Sequence, residues 1–513
     1  MPEFPIVSDS FPPRILYKAW AGFPIPIPFR QISSSGSFHS RRVPAYNPVV
    51  NNHKTAAIGS HSTAFTRRQF IKGTSAGIAL FNILPGRLLG ADTKSPNEKL
   101  NYAGIGIGSQ GGRDVDEVAG LGHNVVALCD VDENYAAKEF AKYPNAKRFT
   151  DYRVMLDKLG KDIDAVVIGT PDHTHAVIAM EAMRRGKHVY CEKPLAHTIH
   201  EVRTLMAAAK KYKVVTQLGN QGHSSDTIRR VCEWVWSGAL GKVHEVHAGC
   251  GAFKDVYCQI PKLGKLSETH EVPKGLDYDL WLGPSMFRAY SPLWVPWNWR
   301  GWLQFGGGAI GDWICHVVDP AYWALDLGAP SSVIAEVVGY DPAIHGMTYP
   351  PGSKITFEFP AKGDRGPVKL VWHDGTISIP RPKEFTADDK VPDIGAVMFG
   401  DKGMIVHGSH GGGGCHLLPE SLMDANSGKN APAEKIIRVK GHAWDWVDAI
   451  RNNRPAGSNF EYGGALTQVG LLGLVALHFP GQLLKWNGKS GHFTNHKAAN
   501  ALVQIPFRSG WKL

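Results

Sequence analysis

From residue 100 onward, short apolar runs alternate with stretches that are apolar on one helical face. Residues 100–107, 125–128, 164–169, 187–191 and 214–218 are runs of strand length. Between them Val115, Val118 and Leu121 share one helical face, Val177, Met180 and Met183 share another, and residues 198–212 continue the pattern. Strands alternating with helices predict parallel pairing through crossover helices. Each apolar run ends in glycine or polar residues, where a doubly wound sheet binds its ligands. After residue 222 the rhythm changes. Residues 224–240 predict a helix and 243–248 a strand. Residues 333–338, 354–359, 368–372 and 403–406 alternate as strands of a mainly antiparallel sheet, with late helices at 444–450 and 465–476. The chain is therefore expected to be α/β. A Rossmann doubly wound parallel sheet spans 98–222, an α+β domain with a mainly antiparallel sheet spans 223–490, and a tail spans 491–513.

Composition narrows the partners. Hydrophobic residues make up 43% and charged residues 20%, as in globular chains. The formal net charge of +10 points to nucleic acid until it is located. Residues 1–91 carry ten Lys and Arg against two Asp and Glu, whereas the rest of the chain carries 46 against 44. No nucleic-acid partner is expected of the body. Seven scattered cysteines without a C-x-x-C predict neither a disulfide framework nor a zinc ribbon.

The basic excess has an address in it. Residues 66–72 read Thr-Arg-Arg-Gln-Phe-Ile-Lys, followed by an apolar run over 76–84 and small residues to Ala91. Paired arginines, a short apolar core and a processing region describe an export signal, and Arg67-Arg68 resembles the twin-arginine type. Residues 1–91 are expected to be a disordered leader with that signal over 66–91. The twin-arginine (Tat) machinery would be a partner and the periplasm the destination, with the leader either cleaved or kept as a membrane anchor. No methionine follows Met1 before Met155, so translation is expected to start within the leader at a non-Met codon.

Gly106-x-Gly108-x-x-Gly111 follows the first apolar run and opens a helix, with Ser109 and Gln110 inside the turn. The glycines allow a tight turn and close approach of a pyrophosphate to the helix N-terminus. Asp130 closes the next run, 19 residues after Gly111, where a carboxylate bonds ribose hydroxyls. It would repel a 2′-phosphate, so NAD is expected over NADP. Later strand ends carry Thr170-Pro171-Asp172-His173-Thr174-His175, Glu192-Lys193-Pro194 and Gly219-Asn220-Gln221.

Residues 253–305 lack periodicity and hold Trp281, Trp294, Trp297, Trp299 and Trp302 with Arg288 and Arg300. Such rings stack on the apolar faces of sugars while guanidinium groups hold hydroxyls or carboxylates. An ordinary apolar plug is the alternative. A glycine run at 306–308 then opens a helix on which Asp312, His316 and Asp319 fall on one face. His173 and His175 are expected at the rim of the site. His407, His410, Cys415 and His416 lie in a glycine-rich loop, but their spacing fits no standard zinc pattern and no metal is expected.

The run Gly106-Ile107-Gly108-Ser109-Gln110-Gly111, then Asp130, Thr170 to His175, and Glu192-Lys193-Pro194 resembles the Gfo/Idh/MocA oxidoreductases, which include glucose–fructose oxidoreductase and inositol dehydrogenase. The resemblance covers roughly residues 98–513, and the end of the chain resembles the bacterial C-terminal extension of exported members. It implies that Lys193, Asp312 and His316 converge at the nicotinamide as the catalytic set. It also implies a homo-oligomer, a dimer or a tetramer. Gly106, Gly108, Ser109, Gln110, Gly111, Asp130, Thr170, Pro171, His175, Glu192 and Lys193 are the candidate cofactor contacts. Asn220, Gln221, Arg300, Trp302 and Asp319 are the candidate substrate contacts.

The chemistry is coherent without the family. Oxidising a secondary alcohol needs a base, for which His316 is suited near neutral pH. Lys193 can offset negative charge on the same oxygen, and Asp312 would orient the imidazole or fix its tautomer. The expected function is an NAD(P)-dependent oxidoreductase acting on CH–OH of a sugar, inositol or related polyol through a tightly held nicotinamide. An NAD-dependent, redox-neutral glycosidase and a non-catalytic sugar-binding protein are the alternatives. The loop over 253–305 and the tail to Trp511 are candidate covers for a retained cofactor.

Overall fold

A computed structural model describes residues 99–513, so the leader and its twin-arginine signal lie outside the described residues. Six parallel strands come first: β1 (Asn101–Ile105), β2 (Asn124–Cys129), β3 (Lys147–Phe149), β4 (Ala165–Ile168), β5 (His188–Cys191) and β6 (Thr216–Leu218). They pair in the order β3-β2-β1-β4-β5-β6. Every residue of β4, Ala-Val-Val-Ile, is buried, because helices cover both faces of the sheet. Those helices are α1 (Gln110–Gly120), α2 (Ala137–Lys142), α3 (Tyr152–Leu159), α4 (Asp172–Arg184) and α5 (Ile199–Tyr212). α5 starts where a capping box forms: the Thr198 hydroxyl accepts from the Glu201 N–H, and the Glu201 carboxylate accepts from the Thr198 N–H. β3, α2 and α3 are absent from the sequence expectation, since elements this short and half-exposed carry little periodicity.

The second half begins with α6 (Asp226–Trp236) and β7 (Val243–Cys250). Its sheet adds β8 (Ser332–Val338), β9 (Gly352–Phe359), β10 (Val368–Gly375), β11 (Ile394–Gly400), β12 (Gly403–Gly408), β13 (His416–Leu418), β14 (Leu484–Asn487) and β15 (His492–Phe493). The order is β13-β12-β11-β7-β10-β9-β8-β14-β15, antiparallel throughout except for β7 beside β10. The tail expected from 491 thus contains the last strand of the sheet, His492–Phe493. α7 (Gly308–Val317) is followed directly by α8 (Asp319–Ala324), and α9 (His442–Asn452) and α10 (Phe460–Leu477) complete this half. Among the described residues α10 is the one helix long and apolar enough to cross a membrane, but 83% of it is buried in the fold, against α7, α5 and β8. It is apolar all round because it is a core helix.

One apolar cluster runs from Ile105 and Val166 of the first sheet through Ile314 to Phe357 and Leu472 of the second half. Both halves therefore share a core. Trp281, Trp294, Trp302 and Phe305 form a separate plug under the long loop.

Candidate active site

A cleft of about 360 Å³ opens at the carboxyl ends of β1, β2, β4 and β5, under the loop over 253–305. One wall is the turn from β1 into α1. Gly106 has a φ of +75°, and a Cβ there would lie 2.6 Å from the Thr170 amide nitrogen, so only glycine lets the turn pass this close to the end of β4. Gly108, Ser109 and Gln110 line the cleft. α1 begins without a side-chain cap and without an acidic residue in its first turn, which leaves its positive end to an anion. Gly111 packs behind the turn, against the Gly106 carbonyl and Gly169, and not on the wall.

Asp130 faces the turn from the end of β2. One carboxylate oxygen accepts from the Ile107 N–H at 2.8 Å and the other from the Asp132 N–H at 3.0 Å. Each retains acceptor capacity for a hydroxyl. Burial raises the Asp130 pKa to about 6 against these donors, so the group is an anion at neutral pH. An uncapped helix end behind a glycine turn, beside a carboxylate that can still accept, fits the pyrophosphate and ribose of a dinucleotide.

Thr170 and Pro171 line the cleft, and the two histidines after them do not. His175 is buried with one ring nitrogen 2.8 Å from the Pro194 carbonyl and the other 2.7 Å from the Thr170 carbonyl. It ties two strand-end loops together and is not a cofactor contact. His173 lies between the carbonyls of Trp281 and Phe305, at 3.0 and 3.3 Å, and bolts the plug down. Burial lowers the two pKa values to about 3 for His173 and about 4 for His175. The expected rim is thus a buried fastening, because α4 starts at Asp172 and its first turn faces the plug.

Lys193 and Asp312 meet across 119 residues of sequence, with the ammonium 2.5 Å from one carboxylate oxygen. The other oxygen accepts from the Tyr257 hydroxyl at 2.6 Å and lies 3.5 Å from the Arg300 Nε. Burial opposes charging Asp312, but Lys193 and Arg300 hold its carboxyl well below the ordinary carboxylate range. Burial likewise opposes the Lys193 ammonium, and Asp312 and Glu192 more than offset it, raising its pKa. Both shifts describe a persistent ion pair. His316 lines the same cleft but makes no hydrogen bond to Asp312, and its Nδ1 is buried without a partner. Burial and the Lys193 charge push its pKa well below 6.5, so the imidazole is neutral. The expected role of Asp312 is therefore corrected: it fixes Lys193 and makes no hydrogen bond to His316.

Glu192 and Gln221 line the cleft, with the Gln221 amide donating to Glu192 at 2.6 Å. Arg300 also lines it, its guanidinium carbon 4.1 Å from the ring centroids of both Trp297 and Trp299. Three expected substrate contacts lie elsewhere. Trp302 is in the plug, 2% exposed, donating to the Leu293 carbonyl. Asp319 and Asn220 are fully buried and bonded to each other at 3.0 Å, in a seam with His223 and Tyr462. Asp319 leaves the expected helix face because α7 ends at Val317 and Asp319 opens a new helix ahead of Pro320.

Tyr257 and His410 are among the cleft residues that were not expected there. Tyr257 anchors Asp312 and accepts from the Trp313 indole at 2.7 Å. His410, from the loop after β12, stacks on His316 with centroids 4.2 Å apart and planes 20° apart. No group of three or more histidine, cysteine, aspartate or glutamate side chains suited to a metal occurs among the described residues.

A doubly wound domain with a dinucleotide turn is joined to a mostly antiparallel domain that brings Asp312 and His316 to the strand-end Lys193, in one cleft suited to a dinucleotide. Residues 100–220 match the model of an oxidoreductase family with NAD-binding Rossmann fold, and residues 226–350 match that family's C-terminal alpha/beta domain. Over residues 100–350 the chain is thus similar to the Gfo/Idh/MocA oxidoreductases, and its first domain matches an NAD-binding Rossmann domain. It is 26% identical over 245 residues to levoglucosan dehydrogenase of Pseudarthrobacter phenanthrenivorans, covering 47% of this chain and 52% of that protein. It is 31% identical over 147 residues to inositol 2-dehydrogenase of Salmonella typhimurium, covering 28% and 43%. The matched stretches thus span about half the length of these relatives. A solved levoglucosan dehydrogenase, in complex with NADH and levoglucosan, shares the fold with a TM-score of 0.50 at 18% identity, over 75% of this chain and 99% of that one.

Proposed function

We propose that the chain interconverts a secondary alcohol and a ketone on a sugar, inositol or related polyol, with NAD held in the cleft. The observation that carries this reading is the Lys193–Asp312 ion pair opposite a neutral His316 in the cleft of the NAD-binding domain. The substrate hydroxyl gives its proton to the imidazole of His316, which lines the cleft. The Lys193 ammonium gives one N–H to Asp312 and has others for the substrate oxygen, offsetting negative charge as the proton leaves. Bound NAD supplies the hydride acceptor at its nicotinamide ring. Arg300, seated on Trp297 and Trp299 at the cleft, is placed to donate to substrate hydroxyls. The paired Arg67-Arg68 and the apolar run after them support export by the twin-arginine route.

The test is to purify the chain, identify any released dinucleotide by mass, and screen sugars, inositols and aryl glycosides. A net change in nicotinamide absorbance with a free sugar or polyol is the expected result. Aglycone release without an absorbance change would replace this reading with the glycosidase. A chain that neither retains nor captures a dinucleotide would overturn both.

A further inference from the structure

The cofactor half of the cleft is closed by chain that belongs to neither the glycine turn nor the first sheet. Trp511 lines it together with Thr150, Asp151 and Tyr152, the residues after β3. The Arg153 guanidinium carbon lies 4.6 Å from the Trp511 ring centroid, and Arg153 is itself held by both oxygens of Asp151, at 3.0 and 2.7 Å. Arg508 pins this segment from the other side. Its guanidinium donates to the Asp279 carboxylate at 2.5 Å, to the Asp279 carbonyl at 2.6 Å and to the Gly283 carbonyl at 2.5 Å. Its own N–H donates to the Pro284 carbonyl at 3.0 Å. The long loop meets the chain just after Asp130 as well: the Asp277 N–H donates to the Val131 carbonyl at 2.8 Å and the Glu133 N–H to the Gly275 carbonyl at 2.9 Å.

Strand order says which end of a dinucleotide this roof covers. Lys193 and Gln221 follow β5 and β6, on one side of the glycine turn. Asp130 follows β2 on the other side, and β3 lies beyond it at the sheet edge. A dinucleotide with its reactive ring by Lys193 and a ribose on Asp130 directs its second base toward Thr150–Tyr152, under Trp511. We infer that residues 508–511 are a latch on the adenine subsite of the NAD-binding domain, Trp511 covering the base and Arg508 locking the segment to the loop over 253–305. The inference rests on the reading of the cleft as an NAD site. An indole face is suited to any purine, and the latch must open before the dinucleotide can leave. Its effect is therefore read on release.

The experiment loads the full chain with NAD and follows release after dilution into a trap of excess labelled NAD, for the parent, Trp511→Ala, Trp511→Phe and Arg508→Ala. Trp511→Ala is expected to release NAD roughly 5- to 150-fold faster, the equivalent of one lost base–aromatic stack. Arg508→Ala should move the same way, and Trp511→Phe should stay near the parent. Matching far-ultraviolet circular dichroism shows that the variants are folded. Release at the parental rate from both alanine variants, with NAD bound, overturns the latch alone. A parent that binds no dinucleotide overturns the latch and the reading beneath it together.

Discussion

At the scale of single residues, two charges carry the site. The Lys193 ammonium and the Asp312 carboxylate are each about five-sixths buried, and each is stabilised by the other. On the proposed mechanism Lys193→Met removes the donor to the reacting oxygen, and turnover is expected to fall by a factor on the order of 10²–10³. Steady-state kinetics on the substrate found by screening would check it, and a loss of only a few-fold would remove Lys193 from the mechanism. The pair also sets a pH dependence through His316. A base must be neutral to accept a proton. Burial and the nearby Lys193 cation lower the His316 pKa below 6.5, so its neutral form persists as pH falls past 6.5 and is lost only further down. The acid limb of kcat/KM is expected below pH 6.5. In Lys193→Met the cation is gone and Asp312 remains, so the His316 pKa rises and the limb of the residual activity moves to higher pH. A limb that stays in place would show that another group titrates.

At the scale of elements, the loop after β12 matters most. Its Gly411 has a φ of +80°, and a Cβ there would lie 1.9 Å from the Gly222 carbonyl oxygen. Thr227 and Ser225 hydroxyls donate to the Gly411 carbonyl at 2.7 and 3.1 Å. These contacts seat His410 over His316. Gly411→Ala is expected to lift the loop, unstack the rings and lower kcat on the order of 10- to 100-fold while circular dichroism is unchanged. His410→Ala should fall in the same direction, and full activity in both would mean the stack is incidental. None of this was legible in the sequence, because His410 reaches the cleft through tertiary contacts of a glycine-rich loop that has no period. Tyr257 was hidden for the same reason. The NAD-binding domain was legible because its glycine turn, apolar runs and strand-end polar clusters are local features. Lys193 and His316 were legible too, one at a strand end and one on an enclosed helix face. Asp319 was misread because the face argument holds only while the helix continues, and Pro320 opens a new one. The loop tryptophans were divided by packing that composition does not encode: Trp297 faces the cleft, while Trp302 fills the plug.

At the scale of the whole molecule, the residues taken for substrate contacts turn out to join the two halves. Asp319 accepts from the Asn220 amide at 3.0 Å, the Tyr462 hydroxyl at 2.5 Å and the His223 Nδ1 at 3.0 Å, with Asn220 on the first half and Tyr462 on α10. The apolar core passes through the same seam without a break. A shared core and a shared buried carboxylate predict that the halves unfold as one unit. Tryptophan fluorescence reports mainly the long loop and the second half, where most of the tryptophans lie, and far-ultraviolet circular dichroism reports both halves. The two probes are expected to give coincident denaturant transitions. Asp319→Ala leaves three buried polar groups without their common acceptor. It should cost about 3–5 kcal/mol, as for breaking a buried pair, and lower the midpoint while the probes stay coincident. Two separated transitions, in the parent or in the variant, would show that the halves fold independently and that the seam couples nothing.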